Sequence, residues 1–363
     1  MARCPRRADA SRPDRPGRLG LLSWLLMVLA SLAVSCGGSA PASSQKPASP
    51  SPPVACQPLS IPAPKIQVAA AAVTPEPGYA LTRGSGPVGI SVARDGAVWT
   101  LGVGANRIAR LQGGQLTEFQ LPSSGLGWEG AVGQDGSFWF PERSRDAVAA
   151  VDAQGHVLEC HLPGQFTNRQ PAGVAFDPAG NLWLTEYAGN RIDVMRPGGH
   201  FQAFSLPGSG KAPTEIVAGP DGAMWFSEDG GDALGRITAE GQVTEIALGG
   251  SHLDPIGLTV GPDQALWVAE LSGDRIDRVA LDGSVSHHPL SRGVGVQGIV
   301  AARDGRLWFT ESRASRVGRL DPASGQVQED AIATGAWPDQ IAAGQDGSVW
   351  VSEYNSDRMG RVV

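Results

Sequence analysis

DGAMWFSEDGGDALGR, Asp221 to Arg236, sets a turn, a tryptophan and a carboxylate within sixteen residues. Asp-Gly tolerates the positive φ angle of a tight hairpin, and Trp225 follows among strand-forming neighbours. The same frame recurs as DGAVWTLGVGANRIAR from Asp95, DGSFWFPERSRDAVAA from Asp135 and AGNLWLTEYAGNRIDV from Ala179. It returns as DQALWVAELSGDRIDR from Asp263, DGRLWFTESRASRVGR from Asp304 and DGSVWVSEYNSDRMGR from Asp346, with no gap in any copy. Trp99, Trp139, Trp183, Trp225, Trp267, Trp308 and Trp350 are therefore spaced by 40, 44, 42, 42, 41 and 42 residues. A self-similar unit of about 40–45 residues built from short strands is the signature of one four-stranded propeller blade.

Each unit parses the same way. A short apolar run such as GISVA precedes the turn, and the tryptophan strand follows it. A polar turn then ends in Asn or Asp seven residues past the tryptophan in six of seven copies. A third strand such as RIARL and a fourth such as LTEFQLP complete the unit. The tryptophans are expected to fill the wedge between neighbouring sheets. The last copy stops at GRVV without a fourth strand, while GYALTRGSG, Gly78 to Gly86, stands unclaimed before the first copy. The expected fold is all-β: a seven-bladed β-propeller of four-stranded antiparallel blades over 79–363, closed by an N-terminal strand, since an open ring would leave sheet faces wet.

Residues 1–35 read as an export leader. Six arginines between Arg3 and Arg18 precede the apolar run LGLLSWLLMVLASLAV, which is short for a membrane span and ends in small residues. AVSCGG resembles a lipobox, which implies a lipoprotein signal peptide and acylation of Cys36. The chain is then lipid-anchored in the cell envelope through Cys36 or, if processed differently, secreted. Residues 36–78, rich in Pro, Ala and Ser, read as an extended tether with too little apolar surface to fold alone. Cys56 and Cys160 remain after processing; they pair or stay as separate thiols. The whole chain carries −7, and loss of six arginines and two aspartates with the leader leaves −11. That balance argues against nucleic acid, which calls for a basic face. The expected partners are a small organic ligand or an exported protein, with the membrane met only through the lipid and the chain acting as a monomer.

WFSE, WFTE, the preceding GPDG and the trailing GRI resemble the virginiamycin B lyase family, and the resemblance spans 79–363. It implies a Mg²⁺-dependent carbon–oxygen lyase that opens a cyclic depsipeptide of the streptogramin B type, with a histidine as base. Glu353 falls on one of the family's metal ligands. The catalytic histidine's place holds Asp339, a second metal ligand's place holds Trp337, and a substrate-contacting histidine's place holds Gln297. Tryptophan cannot hold a cation as a carboxylate does, and an ordinary aspartate is a weaker base than imidazole. These replacements argue for a propeller that binds a ligand or partner at its channel mouth. The lyase is the alternative, and a metal-dependent lactonase or esterase like the gluconolactonase propellers is the second.

Two sets of residues are candidates for the site. Glu142, Glu186, Glu228, Glu270, Glu311 and Glu353 share one position in six blades, and such a ring needs arginines or a cation between its members. Glu353, Glu311 and Glu270 are thus metal candidates for Mg²⁺ or Ca²⁺, against a purely structural lattice with the arginines eight and eleven residues past each tryptophan. His252, alone among the histidines in a link that faces the channel mouth, joins Asp254 and Glu270 as an alternative constellation, so His252 and Asp339 are the catalytic candidates. The residues opening each first strand, Val88, Trp128, Ala172, Thr214, Ile256, Gln297 and Asp339, differ between copies that otherwise repeat. They suit a recognition surface, with Trp128, Gln297 and Trp337 as ligand-binding candidates.

Overall fold

Seven antiparallel sheets form the protein, a computed structural model that describes residues 56–58, 65–68 and 78–363 apart from 123, 165, 166 and 334. Residues 1–35, read above as a leader, and Cys36 lie outside the described residues. Blade four shows the plan: Pro213–Ala218, Met224–Glu228, Ala233–Ile237 and Val243–Ala247, paired in chain order. In blade seven Gly78–Ala80 pairs antiparallel with Arg358–Arg361 and supplies the missing fourth strand. The first strand of blade seven then meets that of blade one and the ring is shut.

The apolar core is divided among the seven blade interfaces. Trp99 of blade one stacks on Phe138 of blade two at 5.5 Å between ring centres, and both are fully buried. Trp225 and Leu234 of blade four pack with Leu258, Leu266 and Val268 of blade five. Trp350 and Met359 of blade seven do the same with Ile90 and Val98 of blade one. Each tryptophan strand is buried on both faces because a sheet lies on either side of it. The turn aspartate secures the indole. Asp221 accepts from Trp225 Nε1 at 3.0 Å and from Arg236 Nε at 2.6 Å, and Asp263 repeats both contacts with Trp267 and Arg278.

The position seven past the tryptophan has a second task beyond turning. Asn106, Asp146, Asn190, Asp232, Asp274, Ser315 and Asp357 all adopt φ between 47° and 54°, a conformation that Asn and Asp tolerate best among side-chain-bearing residues. Their side chains then reach the next blade. Asp232 accepts the amides of His252 and Leu253 at 2.9 and 2.7 Å, and Asp274 those of Gly293 and Gly295 at 2.6 and 3.1 Å.

Part of the segment read as a tether joins the fold. Lys65–Val68 pairs with Gln115–Gln120 as a fifth strand of blade one, and Gln57–Pro58 pairs with Val157–His161 on blade two. The exposed outer edges of these blades offer free backbone groups, so even a Pro-rich segment is held once it is aligned. Alignment comes from the Cys56–Cys160 disulfide, which links the segment to the outer strand of blade two.

Candidate functional site

The first strand of six blades opens with a register shift, and the shift builds the site. In blade one the pairing skips from Pro87 to Ile90, in blade five from Pro255 to Leu258 and in blade seven from Pro338 to Ile341. A bulge of this kind frees two residues from the ladder and re-aims them. The first of the two is the copy-variable position. Val88, Trp128, Ala172, Thr214, Ile256, Gln297 and Asp339 all line one cavity of about 630 Å³ at the channel mouth. Thr310 fixes the last of them by donating from its hydroxyl to the Asp339 carbonyl at 2.7 Å.

The second bulge residue points further in, and it explains a set of acids that the repeat alignment above does not single out. It is Gly89, Gly173, Gly257 and Gly298 in four blades and Glu215 and Gln340 in two more, and Glu129 holds the equivalent place in blade two, just before its short first strand Ala131–Val132. A Cβ on Gly89 would sit 2.5 Å from the Trp128 carbonyl, and one on Gly257 would sit 2.2 Å from that of Gln297. The chain is therefore crowded around the axis, and the three longer side chains project into the space the glycines leave. Glu129, Glu215 and Gln340 all line the cavity. Comparing the Gly-to-Glu exchange between copies would have exposed these residues in the sequence.

Charge in the cavity is of one sign. Its ionisable lining consists of Glu129, Glu215, Asp229 and Asp339 with Tyr354, and contains no Lys, Arg or His. Burial pushes the Glu215 carboxyl up to about 8, against the Leu258 amide that bonds it at 3.0 Å. Burial raises Glu129 well above the carboxylate range, with the charges of Glu215 and Asp339 adding to it. Glu129 Oε1 is buried with no hydrogen-bond partner. Asp339 is raised to about 7, again by burial, although Gln297 Nε2 donates to its Oδ2 at 2.6 Å. Asp229 is raised as well, by burial first, while the Tyr187 hydroxyl at 3.1 Å opposes the shift. Trp128 and Trp337 stand at the rim, each 38% exposed, and Arg143 lies over the Trp128 ring at 3.7 Å.

The ring of glutamates occupies different ground. Glu270 is fully buried, 2.7 Å from Arg275, and Arg275 also holds Asp277 at 2.9 Å. Glu186 meets Arg169 at 3.1 Å, Glu228 meets Lys211 at 3.4 Å and Glu311 meets Arg316 at 3.9 Å. Glu353 lies 3.8 Å from Arg358. Glu142 lies 3.7 Å from Arg145, and none of the six ring glutamates is among the residues lining the cavity. They form the Glu–base lattice between strands and blades, with Glu228 and Glu311 pushed to about 7 and Glu270 to about 9, burial being the largest cause in each.

Nor does the structure gather the other candidates. His252 is exposed and engaged by its backbone amide, Asp254 accepts from Ser272 Oγ at 2.5 Å, and Glu270 faces Arg275. Among the described residues no three His, Cys, Asp or Glu side chains are grouped to hold a metal ion. A Mg²⁺ ion at the place the resemblance implies would need Glu353, which faces Arg358, and a second acid where Trp337 stands. The residues present do not fit that cation.

A closed seven-bladed propeller with a cavity at one mouth defines the class, and comparison with known proteins defines the family. The sequence profile described as the virginiamycin B lyase family matches residues 78–296 and 254–363, and the chain belongs to that family. A streptogramin B lyase structure superposes with a TM-score of 0.74 at 31% identity, covering 78% of this chain and 95% of that one. A catalytically inactive virginiamycin B lyase from Staphylococcus aureus with quinupristin gives 0.73 at 32% identity, covering 78% and 97%. Hydrazine synthase of Kuenenia stuttgartiensis, at 16% identity and a TM-score of 0.65 over 77% and 96%, shares the fold alone. No curated protein matches the chain in sequence.

Proposed function

We propose that this chain is a binding member of the virginiamycin B lyase family, taking a small organic ligand or a segment of an exported protein in its channel mouth. One observation carries the reading: the copy-variable residues of all seven blades converge on a single cavity that has no imidazole in its lining. Recognition fits such a surface, because the scaffold repeats and only the rim varies. Export through the leader at 1–35 and anchoring through an acylated Cys36 belong to the same reading. The Cys56–Cys160 disulfide supports an oxidising compartment.

A second reading has its own support. Asp339 stands where the resemblance puts the catalytic histidine, and burial raises its carboxyl to about 7. A base poised near neutral pH is what proton abstraction needs. In that case the Asp339 carboxylate takes a proton from the carbon beside a carbonyl, the ester carbon–oxygen bond one carbon further breaks, and a carboxylate leaves.

Quinupristin decides between the two. Elimination yields a linear isomer of unchanged mass and altered retention, whereas ester hydrolysis adds one water; tandem mass spectrometry separates all three species. The binding reading expects unaltered quinupristin at enzyme-level protein concentrations. Accumulation of the linear isomer, lost in Asp339→Asn, would replace it with the lyase.

A further inference from the structure

We infer that the cavity takes an organic ammonium ion, its cationic head seated between Glu129 and Glu215 and its apolar body against Trp337. The inference rests on the channel mouth being the binding site, and it names the chemical class of the ligand.

Three observations converge on it. Every charged side chain in the lining is acidic, so an anionic guest would be repelled and a neutral one would leave the acids uncompensated. Glu129 Oε1 is buried without a partner, an arrangement that costs free energy until a donor or cation arrives. Around the acids the wall is hydrocarbon and aromatic: Val88, Leu126, Ile256 and Trp337 face the same space. An ordinary hydrated metal ion has no use for such a wall, whereas an alkyl- or aryl-substituted ammonium ion matches both halves. Cations are also drawn to the face of an indole. Of the two rim tryptophans, Trp128 already carries Arg143 on its ring, which leaves Trp337 for the guest.

Glu215 accepts the Leu258 amide at 3.0 Å, but ring closure does not need an acid at this position. Four other blades place glycine at their position and close the ring without an acid there. Two glutamates set in a wall of hydrocarbon, with the charge of Glu215 adding to the proton affinity of Glu129, weaken the fold, so they are features of the site rather than of the scaffold.

Calorimetric titration with benzyltrimethylammonium and with its neutral carbon isostere, neopentylbenzene, tests the inference in an EDTA-containing buffer. The cation should bind at least about tenfold more tightly than the isostere, and Glu129→Gln and Glu215→Gln should each remove most of that preference. Because the probe's charge is fixed, its affinity should rise about tenfold between pH 5.5 and pH 8.5, with protons released on binding. Trp337→Ala should weaken both probes. Equal binding of the two probes, lost in Trp337→Ala, would overturn the cationic class and leave the mouth as a binding site. Binding of neither at millimolar concentration would overturn the inference as well. A preference for the cation that survives both glutamine variants would place the charge elsewhere and also overturn it.

Discussion

Asp357 Oδ2 accepts the backbone amide of Gly84 at 2.7 Å across 273 residues of chain, and Oδ1 takes Gly86 at 2.9 Å. This is the same latch that Asp232 and Asp274 form between internal blades, reused to join the last blade to the first. Beside the apolar packing of Trp350 and Met359 on Ile90 and Val98, closure thus rests on the borrowed strand Gly78–Ala80 and on one carboxylate with two charge-assisted hydrogen bonds. Asp357→Ala leaves both amides without that partner at a turn and should cost about 2–4 kcal/mol. Urea unfolding monitored by tryptophan fluorescence checks it. A loss below about 0.5 kcal/mol would mean that the strand and the apolar interface close the ring without the latch.

The disulfide makes a second, independent prediction. Cys56 and Cys160 are 104 residues apart, so the cross-link restricts a long stretch of the unfolded chain. Cys56→Ser should lower stability by up to about 5 kcal/mol, with Cys160 left as a buried thiol in an apolar cluster. Thermal melts with and without dithiothreitol give the readout: the parent should shift and the variant should not. A parent indifferent to reductant would show that the edge strands hold without the link.

Much of this molecule is legible in its sequence, because a repeat prints its packing seven times. The tryptophan interval fixes the blade count, and the orphan segment Gly78 to Gly86 beside the unfinished seventh copy fixes the closure. The variable position from Val88 to Asp339 marks the mouth by the same logic. What escapes is tertiary. The latch role of Asp357 needs the neighbouring blade's amides, which no local pattern supplies. The sequence offers Glu353 either a cation or Arg358, and the outcome in favour of Arg358 depends on strand twist. Glu215 lies in a bulge and Glu129 in the approach to the first strand of blade two, so their placement is a backbone event, and there the only written trace is glutamate standing where other copies have glycine.

The lattice of buried glutamates carries a prediction about its bases. Arg275 holds Glu270 at 2.7 Å and Asp277 at 2.9 Å, both carboxylates fully buried, and donates to the Leu248 carbonyl at 2.9 Å. Arg275→Ala strands two acids in the interior and should cost about 3–5 kcal/mol at pH 8. Burial raises Glu270 to about 9 even with the guanidinium opposing it, so the loss of Arg275 weighs most where that carboxyl ionises, and the deficit should grow from pH 8 toward pH 10. Denaturation midpoints at the two pH values test this. An equal loss at both would assign the role of Arg275 to its packing rather than its charge.

Asp339 makes the pH argument at the site itself. Its folded carboxyl titrates at about 7 because burial disfavours the charge, while an unfolded aspartate titrates near 3.9. A folded-state pKa above the unfolded value means that the folded chain binds more protons in between. The stability held below about pH 4 is therefore lost as the pH climbs through about 7. Asp339→Asn keeps the shape and cannot ionise. Relative to the parent it should gain about 2–4 kcal/mol more at pH 8 than at pH 4, the loss of repulsion on Glu129 acting in the same direction. The amide of Gln297 now bonded to Asp339 Oδ2 finds a side-chain oxygen in the variant too, so that contact does not confound the comparison. Urea melts at the two pH values read the difference directly. A variant whose advantage is the same at both would show that Asp339 ionises in the folded protein as it does in the unfolded chain, and the raised proton affinity assigned to it would fall.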